Sequence, residues 1–156
     1  MPHVSDRDTA CTSASILLAR VLLSLPFLYS GIDKVRHWAA AQREVTASGL
    51  PCPTLLHTLT VLVQLGAGLS VLIGVEARVG ALLLCLFLAP VTLLYHPFWK
   101  RSGPDFVAEA DHFLLNGAVV GGLLMIVALG SGRIGVIDHP LVKLFGQSMA
   151  AIGTGP

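Results

Sequence analysis

Four stretches of the chain are too apolar for too long to be covered by a soluble surface. They fall at roughly 15–35, 54–74, 77–96 and 112–130. A bilayer helix needs about 20 mostly apolar residues, and lipid offers an irregular backbone no hydrogen-bond partner, so each stretch is expected to be a helix. Charge agrees with this: 12% of the 156 residues are Asp, Glu, Lys or Arg, against about 25% in soluble domains. The expected fold class is all-α, an integral membrane four-helix bundle, with the lipid bilayer as its first partner. Residues 1–14 read as a polar N-terminal tail, 15–138 as the membrane domain and 139–156 as a short amphipathic C-terminal tail. The first apolar run follows a poor signal-peptide start and is expected to stay as an anchor. A net charge of +1 gives no case for nucleic acid.

The connections differ in kind. "GVEAR" is so short that the second and third spans must be antiparallel neighbours. In the first loop, "HWAAAQREVTAS" reads as a short interfacial helix, stopped by Gly49, Pro51 and Pro53, with Trp38 suited to the headgroup layer. A loop without regular structure is the alternative. Pro26 and Pro90 lie inside the first and third spans, where proline can kink a helix. Four spans put both termini on one side. Arg7, Arg78, Arg133 and Lys143 on that side nearly balance Lys34, Arg36, Arg43, Lys100 and Arg101 on the other, so the orientation stays open. Cys11, Cys52 and Cys85 are scattered without a Cys-x-x-Cys pair, and no disulfide is expected.

Helical spacing collects polar residues onto faces. Arg20, Ser24, Phe27, Gly31 and Lys34 form one stripe in the first span. His57, Thr60, Gln64 and Gly68 form another in the second, and Cys85, Ala89, Thr92 and His96 a third. Glu109, His112 and Asn116 share a face at the entrance to the fourth. Lipid rejects such groups, so the stripes should point inward. Lys34, His57, Thr60, Thr92, His96, His112 and Asn116 all lie towards the first and third loops, with Gln64 deeper. These eight are the candidate ligand-pocket residues, in a pocket closed at depth.

Each has a plainer reading. Lys34 can snorkel to the headgroups. Arg20 can snorkel to the opposite interface or pair internally. Gln64 and Asn116 can bond a neighbouring helix. His57, His96 and His112 with Glu109 could be drawn as a metal site, but no pair has tight ligand spacing and no metal is expected. No catalytic residue is assigned. Gly66, Ser70 and Gly74, and Gly117 and Gly121, are spaced to let helices approach closely, within the monomer or in a homo-oligomer.

Three segments carry a family resemblance. "LLARVLLSLPFLYSGIDKV" resembles the opening span of the DoxX family. "LVQLGAGLSVLIGVEARVGALLLCLFLAPVTLLYHPFW" resembles its second and third spans, and "HFLLNGAVVGGLLMIVALGSGRIGVID" its fourth. The family pattern often has an acidic residue where Gln64 stands and a lysine where Leu115 stands. Both departures remove charge. The resemblance implies a multi-pass protein of the bacterial inner membrane. It also implies an accessory or anchoring subunit of a membrane oxidoreductase, quinone-linked or acting in sulfur or redox-stress chemistry. With no cofactor motif of its own, such a chain would take electrons from a membrane or peripheral redox partner and hold at most a quinone. A small solute or anion transporter, and a structural subunit of a larger complex, are the rival expectations.

Overall fold

The computed structural model describes residues 6–132, with side chains from residue 11 onward. Its elements are helices only: α1 (Asp6–Arg36), α2 (Trp38–Ala47), α3 (Pro53–Ile73), α4 (Ala77–Tyr95), a 3-10 turn (Phe98–Lys100) and α5 (Pro104–Leu129). All except α2 and the turn are long and apolar enough to cross a membrane. The interfacial helix expected in the first loop is α2. Pro26 and Pro90 are inside α1 and α4, which continue through them.

Two boundaries move. α1 begins at Asp6, so residues 6–14 are helical and run straight into the first span. Nothing from Asp6 to Ser15 is a glycine or proline, and a nucleated helix propagates until something stops it. The fourth span starts at Pro104 instead of near 112. Gly103 ends the preceding turn with φ 62°, Pro104 takes a first-turn position that needs no N–H donor, and Asp105 suits the positive end of the helix dipole. What read as a long third loop is therefore mostly helix. Phe98 pins the rest, its ring 5.2 Å from that of Phe113 and 5.7 Å from that of Phe106. The amphipathic segment 139–156 lies outside the described residues.

α1 packs on α3, α3 on α4 and α4 on α5, with a smaller contact between α1 and α5 where Leu23 fills the space beside Gly122. Among the described residues α1 does not pack on α4, nor α3 on α5. The core holds Phe27, Ala67, Val71, Ala81, Leu84, Leu88, Leu123 and Ile126. Leu18, Leu22, Leu114, Leu115 and Leu129 are exposed. That is unremarkable where the solvent is hydrocarbon.

Close approach at one end depends on small residues. A Cβ on Gly80 would stand 2.7 Å from Ser70 Oγ and 2.9 Å from the Ala67 carbonyl oxygen. Ser70 in turn donates to the carbonyls of Val75 at 2.6 Å and Glu76 at 3.2 Å, closing the α3–α4 turn. By contrast, Gly66, Gly117 and Gly121 have no neighbour within 4 Å of a Cβ. Among the described residues, those three do not serve packing inside the monomer.

Candidate ligand pocket beneath the first loop

The lysine at the end of α1 turns into the bilayer. Lys34 Nζ donates to Ser30 Oγ at 2.6 Å, one turn deeper in the same helix. A snorkelling lysine points the other way. Ser30 Oγ also accepts from Gln64 Nε2 at 3.2 Å, linking α1 to α3. Gly31 makes room for this contact, since a Cβ there would lie 3.3 Å from Gln64 Cβ and 2.7 Å from Leu65 Cδ2. Ser30 was not among the residues singled out from sequence, because the polar stripe passes through Gly31. The available signal was its four-residue spacing from Lys34.

His57 and Gln64 sit on the same face of α3, both buried, with half-buried Thr60 between them. Neither ring nitrogen of His57 has a hydrogen-bond partner, and neither does Gln64 Oε1. An unpaired buried polar atom costs about 1–3 kcal/mol, so three in one wall call for an explanation. The Lys34 charge acts on His57, and Asp33 and Glu44 supply opposite charge within reach of Lys34. Above His57 stands Trp38, ring centroids 4.2 Å apart and edge-on at 80°. Trp38 and Glu44 belong to α2, which buries no residue and is tied to α3 by Gln42 Nε2 donating to Thr54 Oγ1 at 2.7 Å.

The other sequence candidates gather between α4 and α5. His96 Nδ1 donates to Glu109 Oε2 at 2.8 Å, and the His112 ring lies 5.1 Å from that of His96. Thr92 spends its hydroxyl on the Leu88 carbonyl at 2.7 Å. With Asn116, Ala89, Phe113, Gly117 and Val120 it lines a groove of about 240 Å³. Because α1 does not pack on α4 nor α3 on α5, the eight candidates sort into two groups. Lys34, His57, Thr60 and Gln64 gather along α1 and α3 as the candidate α1–α3 pocket. Thr92, His96, His112 and Asn116 lie along α4 and α5. Among the described residues no three ligand-type side chains are placed to hold a metal ion.

The far end of the bundle is shut. Arg20, buried, donates from Nε to the Val71 carbonyl at 2.9 Å and from Nη2 to that of Leu72 at 2.7 Å. Its Nη1 reaches Ser131 O at 3.1 Å. The Val71 and Leu72 carbonyls are ones that the end of α3 leaves without helical partners, and a cation suits that end of the dipole. Arg20 pairs internally, then, and does not snorkel. Gly74, at φ 81°, lets it in: a Cβ there would be 2.5 Å from Nη2. Between Gln64 and Arg20 lies apolar core, including Phe27, Ala67 and Leu84.

A cationic inward residue near the end of the first span, followed by two tightly turned spans, invites comparison with known families. The DoxX family model matches residues 15–97, from α1 to just past α4. The chain belongs to the DoxX family. Two curated relatives come from Escherichia coli (strain K12). Inner membrane protein YqjF is 28% identical over 128 residues, covering 82% of this chain and 92% of that protein. Inner membrane protein YphA is 23% identical over 119 residues, covering 76% and 85%. No solved structure matches. With four apolar spans and inner-membrane relatives, this DoxX protein is a multi-pass protein of the cytoplasmic membrane.

Proposed function

We propose that this DoxX protein is an accessory, membrane-anchoring subunit of a quinone-linked oxidoreductase system, and that the α1–α3 pocket receives a quinone head. The observation that supports this most is the inward Lys34 beside the unpartnered nitrogens of His57. Donors held in a water-poor site suit carbonyl oxygens, and few convergent polar groups in an apolar wall are usual for a ligand site. The isoprenoid tail of a quinone would stay in lipid. Electrons would come from a membrane or peripheral partner working in sulfur or redox-stress chemistry.

Lys34 also suits an anion, which favours the transporter as the second reading. Against it stand the apolar core below Gln64 and the backbone-held Arg20. A purely structural subunit would leave the buried wall of His57 and Gln64 without a purpose.

The test is to extract the protein from its own membranes into nanodiscs and measure bound quinone and co-purifying redox protein. Wild type should retain quinone. Lys34→Met should lose it by about tenfold or more, the equivalent of one charge-assisted hydrogen bond, and Gln64→Leu by less, through the altered wall, while partner recovery stays unchanged. Quinone retained by both variants would sink the pocket assignment. Anion uptake into proteoliposomes, abolished by Lys34→Met, would replace this reading with transport.

A further inference from the structure

We infer that the α1–α3 pocket holds the hydroquinone form of the head in preference to the quinone form, through a hydroxyl that both donates to and accepts from the wall made by His57 and Gln64. The inference rests on the function proposed above and concerns which redox form the same site selects.

It follows from counting what the wall lacks. His57 is wholly enclosed, a place where a charged ring would be costly to bury. The uncharged imidazole carries one N–H and one lone pair, and both are unpartnered. Gln64 Oε1 adds a second unpartnered acceptor. Turning the Gln64 amide over would exchange that oxygen for an NH2 group, but the His57 lone pair would still need a donor. A quinone offers acceptors only, so it can satisfy the imidazole N–H and Lys34 but leaves the lone pair bare. A phenolic hydroxyl can bridge ring and amide: it accepts from the imidazole N–H while donating to Gln64 Oε1, or donates to the imidazole lone pair while accepting from the turned amide. Lys34, a donor to Ser30, serves either form alike and so cannot discriminate. Trp38, edge-on to His57, is the cover over this end of the pocket.

Isothermal titration of the full chain in nanodiscs tests this, with a short-tailed 1,4-benzoquinol kept reduced under anaerobic conditions and with the matching benzoquinone. The quinol should bind at least about tenfold more tightly, as expected when one buried acceptor gains a donor. His57→Phe keeps a ring against Trp38 and removes both nitrogens, so the preference should fall to the share that Gln64 carries, and His57→Phe combined with Gln64→Leu should bind the two forms equally. Gln64→Leu, a second variant that leaves His57 intact, should narrow the preference without erasing it. Equal affinities in wild type, or tighter quinone binding, would overturn the inference and leave the proposed function standing. A preference that survives the loss of both His57 and Gln64 would overturn the assignment of the wall. Failure of either form to bind wild type would overturn the proposed function itself.

Discussion

Arg20 Nε lies 2.9 Å from the carbonyl oxygen of Val71, so a cation of the first span closes the end of the second. The contact makes one side chain serve as cap, spacer and lock. It holds α3 by two carbonyls and ties down the chain beyond α5 through Ser131.

Arg20→Met should therefore destabilise the bundle by about 3 kcal/mol or more, because it strands several carbonyls in a poorly hydrated place. Arg20→Lys should recover less than half of that, since one ammonium cannot reproduce the guanidinium fork. Thermal unfolding in a single detergent, followed by helical circular dichroism, measures both. A Lys variant as stable as wild type would contradict the fork.

Glycines that look alike in sequence should respond differently. Gly80→Ala forces a Cβ to within 2.7 Å of Ser70 Oγ and should cost about 1–3 kcal/mol as overpacking. Gly117→Ala meets nothing within 4 Å and should be neutral or slightly stabilising, as alanine is the better helix former. The same unfolding assay compares them. Equal loss in both would mean that Gly117 is covered by a partner helix.

Ser30 should control where the Lys34 ammonium resides. Its hydroxyl is the acceptor that draws Nζ inward at 2.6 Å, and without it the lysine gains more by reaching the headgroups. In Ser30→Ala, a water-soluble amine-reactive ester should label Lys34 several-fold faster than in wild type, as read by peptide mass spectrometry. Unchanged labelling would show that another group holds the ammonium.

The His96–Glu109 pair is a weaker element. Its side chains are 28% and 24% exposed, and such pairs near the surface contribute about 1 kcal/mol or less. Glu109→Ala should barely move thermal stability. It should speed tryptic cleavage at Lys100 and Arg101, because the pair joins the end of α4 to α5 across that connection. Cleavage at the wild-type rate would assign the anchoring to the Phe98 cluster alone.

Much of this architecture was legible in the residues. Four apolar runs, a five-residue turn and a loop rich in helix formers led to four spans and an interfacial helix. The stripes in α1 and α3 were correctly spaced: Arg20, Ser24, Phe27, His57 and Gln64 are all buried. Boundaries were less legible. Asp6 and Pro104 open helices through polar sequence that hydropathy does not count as span.

By itself the sequence determined the solvent, the number of spans and which faces of α1 and α3 turn from lipid. Lipid penalises any unpaired backbone or charge, and that penalty acts residue by residue along the chain. Only the tertiary structure decided which faces meet. Helical periodicity sets angles about an axis and says nothing of neighbours, so it could not tell that Lys34 joins Gln64 through Ser30 while His96 pairs with Glu109. Nor could it choose between outward and inward for Arg20 and Lys34. That choice depends on acceptors supplied from elsewhere in the fold: the Val71 and Leu72 carbonyls for one, and for the other a hydroxyl braced against α3.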